Sequence, residues 1–291
     1  MTLSDLAKRF RVDNPGKFRL SDCDPDECGG LDKQDAGTLL AEGLGRLSEL
    51  QERLYASDRW SVLIVLQAMD AAGKDSLIKH VMTGLNPQGV EVHPFKQPSA
   101  EELDHNFLWR AARHLPERGR IGIFNRSHYE EVLVVRVHPE LLERQKLPAP
   151  PGKDVWQQRF EDIRAFERHL ARSGTRILKL FLHVSKEEQR SRFLERIEEP
   201  AKRWKFSMGD VAERKLWARY MDAYEDMIRN TSTPEAPWYV IPADRKWFTR
   251  TVVAGVLVHE LDSLKLEFPK LDADALKELR EAEKTLKAEK D

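Results

Sequence analysis

The segment Ser61-Val62-Leu63-Ile64-Val65-Leu66-Gln67, followed at once by Ala68-Met69-Asp70-Ala71-Ala72-Gly73-Lys74-Asp75-Ser76 and then by apolar residues at Leu77, Ile78 and Val81, constrains this chain more than any other feature. A continuous β-branched and aliphatic run is what a strand buried on both faces of a parallel sheet requires. A short loop ending in Gly-Lys between such a strand and a helix reads as a phosphate-binding loop. Backbone N–H groups from Ala71 to Ser76 and the helix N-terminus surround phosphate oxygens, while the Lys74 ammonium reaches the transferring phosphoryl group. The match to G-x-x-x-x-G-K-[ST] is imperfect, because Ala68 stands at the first glycine and Asp75 at the Ser/Thr. On this pattern alone, an ordinary strand-to-helix turn with a surface lysine is the alternative.

Four more runs, Val90 to Phe95, Arg120 to Phe124, Arg176 to Val184 and Trp238 to Pro242, read as strands. Helical patterns separate them, such as Trp156, Phe160, Ile163, Phe166 and Leu170; another helix, with Leu40, Leu44, Leu47, Leu50 and Leu54, precedes the first strand. Alternating strands and helices predict an α/β fold with a five-stranded parallel sheet flanked by helices. Residues 1–36 show no sustained apolar period and read as an extended N-terminal arm. Residues 37–265 form the domain proper, and 266–291 a charged C-terminal helix. Leu147 to Gly152 reads as a rigid loop.

Composition limits the partners. With 48 Lys and Arg against 49 Asp and Glu, the net charge is -1, so no global field favours nucleic acid or an anionic membrane, and anion binding must be local. The longest aliphatic run, Val252 to Val258, is far short of the roughly 20 residues of a membrane span. No apolar leader of secretory type opens the sequence, so a cytoplasmic protein is expected. Cys23 and Cys28 lack the further ligands of a zinc site and read as reduced thiols.

A second cluster, Asn125-Arg126-Ser127-His128-Tyr129-Glu130-Glu131, follows the third strand. In an open parallel sheet, ligands bind beyond the carboxyl ends of the strands, where this cluster and the phosphate loop both fall. Arg126 suits bidentate phosphate binding. His128 reads as a structural histidine rather than a catalytic one, because phosphoryl transfer depends mainly on positioning and charge stabilisation. Asp70, a carboxylate among phosphate-binding amides, calls for a divalent cation between it and the ligand; Mg²⁺ fits, with a first-turn helix carboxylate as the bland alternative.

These two segments, together with Pro200-Ala201-Lys202-Arg203-Trp204-Lys205-Phe206-Ser207, resemble polyphosphate kinase family 2 over about residues 35 to 265. The resemblance implies a P-loop kinase core with a helical lid at about residues 186–210. It also implies an enzyme that uses Mg²⁺ to move a terminal phosphoryl group between inorganic polyphosphate and nucleotides, AMP and ADP above all, with guanine nucleotides as further candidates. By motif position, Asp70 is the loop carboxylate near Mg²⁺, Lys74 the phosphate lysine and Arg126 the arginine of the second motif. Many family members have Asp where this chain has Asn125. A neutral amide oxygen is a weaker Mg²⁺ ligand, so Glu130 or Glu131 is the candidate for the missing charge. The family also suggests a homo-oligomer.

The lid has support from the residues themselves. From Gln189 to Lys205 six basic residues face three acidic ones, a local net of +3. Arg192 and Arg196, four apart, share a helix face, and Arg192, Arg196, Lys202 and Lys205 are the expected phosphate contacts. For Trp204, stacking on a base and packing within the lid both stay open. Two other functions also stay open at this stage: an ATP-dependent nucleoside monophosphate kinase, and a P-loop nucleotide-binding regulatory module.

Overall fold

The computed structural model describes residues 1–150 and 152–289, so Pro151 of the expected rigid loop and residues 290 and 291 of the C-terminal segment lie outside the described residues. In chain order its elements are α1 (Leu3–Phe10), α2 (Lys33–Ser57), β1 (Ser61–Ala68), α3 (Lys74–Val81), β2 (Val90–Pro94), α4 (Ala100–Leu103), α5 (Trp109–Ala112), β3 (Ile121–Asn125) and α6 (Val134–Val137). There follow α7 (Val155–Arg172), β4 (Thr175–His183), α8 (Lys186–Glu198), α9 (Met208–Lys215), α10 (Trp217–Thr231), β5 (Trp238–Pro242), α11 (Lys246–Ser263) and α12 (Ala273–Ala288).

The strands form one parallel sheet in the order β2-β3-β1-β4-β5, flanked by helices as the alternating pattern predicts. Every residue of β1 is buried, because it is the middle strand and has neighbours on both edges. The chain turns from β2 back to β3, then crosses β1 to reach β4, so strand order reverses at β1 and opens a crevice at its carboxyl end. Register fixes what meets there. Leu66 of β1 lies beside Asn125 of β3, and the Arg126 amide extends the ladder by donating to Leu66 O (3.0 Å). The two candidate loops therefore emerge side by side.

The run Val252 to Val258 forms the middle of α11, which is buried among α1, α2, α3 and β5. The N-terminal segment departs from the extended reading. Thr2 and Asp5 form a capping box for α1, and Leu6, Ala7 and Phe10 are buried by packing against α11 and β5. Eight residues are two turns, too short to register as a sustained period, so the helix depends on this contact. Gly255 permits the approach, since a Cβ there would stand 2.8 Å from Leu3 O. Beyond α1, Arg11 bridges antiparallel to Tyr239, and Val12 N donates to Trp238 O (2.9 Å). Helix α12 buries none of its residues, and Leu276, Leu279 and Leu286 are exposed. No helix among the described residues is long and apolar enough to cross a membrane.

Candidate active site

The phosphate loop turns through two left-handed residues, Ala71 (φ 63°) and Gly73 (φ 107°), the second of which is open in practice only to glycine. The first intrahelical bond of α3 runs from Leu77 N to Gly73 O (2.9 Å), so the amides of Lys74, Asp75 and Ser76 have no carbonyl partners among the described residues. They form a donor-rich helix start of the kind that binds phosphate oxygens. Lys74 Nζ curls over the loop and donates to Ala68 O (2.9 Å) and Met69 O (3.4 Å). Burial lowers the pKa of this ammonium, with Asp70 and Glu130 opposing the shift.

The β3 loop meets the phosphate loop through charge. Arg126, left-handed at φ 63°, donates from Nη2 to Asp70 Oδ1 (2.6 Å). Burial works against the ionised form of Asp70, but Lys74, Arg126 and Arg196 together hold its carboxyl below the usual carboxylate range. Glu130 answers the same cations from the other side. Burial raises its pKa, and Arg126 and Lys74 pull it back. Gln67, oriented so that both ends of its amide are satisfied, donates to Glu130 Oε1 (2.9 Å) and accepts from Ser127 Oγ (3.0 Å). Asp70, Lys74, Arg126 and Glu130 thus form one cluster at the ends of β1 and β3. Glu131 points elsewhere: it accepts from Arg159 Nε (2.9 Å) and Gln145 Nε2 (2.8 Å), which separates the two glutamates that sequence could not. Asn125 Nδ2 donates to Asp75 Oδ1 (2.8 Å). His128 is buried, and burial first, then Lys179, holds its imidazole neutral with a pKa of about 3.

The basic residues expected in a lid divide. Arg192, expected at phosphate, is buried and spends its guanidinium on backbone instead. Nη1 donates to Ala71 O (3.0 Å) and Ala72 O (2.9 Å), Nη2 to Ala243 O (2.6 Å) and Asp244 O (2.9 Å), while Nε meets Glu188 (2.7 Å). With every nitrogen engaged, it braces the phosphate loop from behind. Arg196 is half-buried, pairs with Asp210 (3.6 Å) and contributes to the field at Asp70. Lys202 is paired with Glu195 (2.6 Å) and Glu199 (2.5 Å), and Lys205 lies over the exposed Trp204 ring (5.0 Å). Neither is brought to the phosphate loop in this conformation.

Several residues at the site carry little sequence signal. Asp210 joins from α9, where burial and then the like charge of Asp70 raise its pKa. Arg250 Nη2 reaches Ser76 Oγ (3.2 Å) from α11, and Lys246 lies one turn earlier. Neither forms an ion pair among the described residues. A cavity of about 290 Å³ opens beside Asp70, Arg126 and Glu130, walled by Phe95, Leu103, Phe107, Arg110, Arg144 and Tyr220. A second one, about 350 Å³, lies under the N-terminal segment between Phe10, Phe18, Cys23 and His183, and none of the cluster's residues lines it.

The family model described as Polyphosphate kinase 2 matches residues 30–269. The chain belongs to this family. It is 53% identical over 249 residues to an ADP-polyphosphate phosphotransferase of Rhodopseudomonas palustris, covering 85% of this chain and 86% of that one. It is 50% identical over 264 residues to an AMP/ADP-polyphosphate phosphotransferase of Meiothermus ruber, covering 90% and 95%. The crystal structure of Polyphosphate Kinase 2 from Arthrobacter aurescens superposes with a TM-score of 0.88 at 40% identity over 96% of each chain. Membership makes this chain a phosphotransferase with the family's kinase-like α/β core.

Proposed function

We propose that this protein transfers a phosphoryl group between inorganic polyphosphate and adenine nucleotides, phosphorylating AMP and ADP, with Mg²⁺ as cofactor. The observation that carries the reading is the convergence of Asp70, Lys74, Arg126 and Glu130 between a phosphate-binding helix start and a cavity with an apolar wall. Support comes from the relatives above, which are named for transfer between polyphosphate and ADP or AMP.

The residues suggest a division of labour. The amides of Lys74, Asp75 and Ser76, with Arg250 beside them, hold the donor chain. The cavity, with Phe95, Phe107 and Tyr220, holds the nucleotide and aims its terminal phosphate at the cluster. An oxygen of that phosphate attacks the terminal phosphorus of the donor in line, and the bond to the next phosphate breaks, leaving the shortened chain. Lys74 and Arg126 neutralise the transferring group, so alignment and charge supply the catalysis without a covalent enzyme intermediate.

The donor set suits a hard cation. Asp70 offers a carboxylate kept ionised by its neighbours, and Asn125 commits its Nδ2 to Asp75, leaving Oδ1 as the end that can face a metal. Bound there, Mg²⁺ would neutralise phosphate charge and fix its orientation. The test is a nucleotide assay with Mg²⁺ and AMP or ADP, offering long-chain polyphosphate or ATP as the only donor. Formation of ADP and ATP from polyphosphate is the expected result. Transfer from ATP alone would make the protein a nucleoside monophosphate kinase, and none from either would overturn the proposal.

A further inference from the structure

Behind the β3 loop lies a buried charged network that the transfer mechanism does not use. Lys179 sits in the middle of β4, fully buried, and its Nζ donates to Glu167 Oε2 (2.6 Å), Thr231 O (2.7 Å) and the Tyr129 hydroxyl oxygen (3.0 Å). The Tyr129 hydroxyl in turn donates to Glu167 Oε1 (2.7 Å). Three donors on the ammonium thus find three acceptors, and the tyrosine oxygen is fixed from two directions at once.

Tyr129 is the fourth residue after the end of the β3 pairing with Leu66 and the residue immediately before Glu130. Its backbone is tied as well, since Tyr129 N donates to Ser127 Oγ (3.1 Å) and Glu130 N to Ser127 O (3.1 Å). Just before this tied turn, Arg126 is held in the left-handed region, a conformation that persists in a non-glycine residue only when its surroundings over-determine it. One end of the segment is fixed by Arg126 N on Leu66 O (3.0 Å), and the other by the Tyr129 hydroxyl. Arg126 and Glu130, which face the phosphate loop, lie between or next to these two fixed points.

We infer that Tyr129, Glu167 and Lys179 are positioning residues for phosphoryl transfer: the buried ion pair grips the Tyr129 hydroxyl and thereby sets where Arg126 and Glu130 stand relative to Asp70 and Lys74. Packing alone would not require the charges. An apolar pair of similar volume often fills such a site at no loss of stability, whereas removing one partner strands a buried charge. The inference rests on the proposed reaction for its activity readout, and a second readout is independent of it.

The decisive variant is Tyr129→Phe, which keeps the ring packed against Trp238 (centroids 4.9 Å) and His128 (4.7 Å) and deletes only the hydroxyl. Its companion is the double variant Glu167→Leu/Lys179→Met, which removes both charges together. In each, kcat for transfer from polyphosphate is expected to fall about 10-fold or more while KM for the nucleotide stays within about threefold, with the melting temperature lowered only by the few degrees that a lost buried hydrogen bond costs and the protein folded at the assay temperature. Loss of kcat that appears only in step with loss of stability, or a Tyr129→Phe enzyme that matches the parent, would overturn the inference. The independent readout is a denaturation double-mutant cycle on Asp70→Asn and Arg126→Gln. Their coupling is expected to shrink in the Tyr129→Phe background, and unchanged coupling would overturn the inference even if the parent protein failed to transfer at all.

Discussion

Asn125 Nδ2 donates to Asp75 Oδ1 across 2.8 Å, so the residue that replaces the usual Ser/Thr of the phosphate loop and the residue that replaces the common Asp of the second motif are partners. Each departure weakens its own motif when read alone, yet together they make one hydrogen bond between the two loops. Asn125→Asp is expected to destabilise the protein by setting two carboxylates against each other, and Asp75→Ser/Asn125→Asp to recover that loss. A denaturation cycle should give a coupling of about 0.5–3 kcal/mol, and additive single effects would contradict the pairing.

Arg192 and Lys202 both read from sequence as phosphate contacts, and the structure gives them different surroundings. Arg192→Ala leaves four carbonyls behind the phosphate loop without their donor and should cost about 1–3 kcal/mol, seen as a lower midpoint of chemical denaturation. Lys202, exposed and paired with Glu195 and Glu199, should be replaceable by Ala with no change in that midpoint. Equal effects of the two substitutions would contradict the assignment.

The depressed pKa of His128 makes a statement about acid stability. Its imidazole titrates near 6.5 when unfolded and at about 3 in the fold, because burial and Lys179 disfavour the cation. The unfolded chain therefore binds a proton that the native one refuses. The stability tied to the neutral ring is fully present above pH 6.5 and is lost progressively as pH falls from there towards about 3. His128→Phe removes this term, so its denaturation midpoint should fall less steeply than the parent's across that window. Parallel curves would contradict the account.

The parts of the fold legible in the sequence were those in which burial writes itself as composition. Ser61 to Gln67 reads as an interior strand, and Gly73 and Lys74 mark the loop and helix start after it. The second cluster was placed by the rule that ligands gather at carboxyl ends of strands, and Leu66 beside Asn125 is that rule in coordinates. The illegible parts depend on which partner a polar side chain meets. Arg192 and Lys202 are both cations of one basic stretch, and what separates them is the carbonyls around the first and the carboxylates around the second; Asp210 and Arg250 reach the site from helices distant in sequence. Lys179 did give a signal, as the one charged residue inside Ile177 to Val184, but nothing in the sequence pairs it with Glu167 and Tyr129. The two turns of α1 carry too little periodicity to be legible without the surface of α11 that they cover.

Arg126 reaches Asp70 as a planar fork with a second nitrogen left for phosphate, and Arg126→Lys keeps the charge while losing that geometry. Turnover with polyphosphate should fall about 100-fold, comparable to the loss of one preorganised donor to the transferring group. Initial rates at saturating nucleotide measure this, and a lysine variant as fast as the parent would remove Arg126 from the reaction.

The most direct test of the central claim is the rate of ATP formation from ADP and polyphosphate, measured side by side for the parent protein and Lys74→Ala at saturating Mg²⁺. The account expects turnover by the parent and a fall of about 100-fold or more in the variant, with the fold intact by circular dichroism. Equal rates in the two proteins would show that the cluster built around Lys74 is not where phosphoryl transfer takes place.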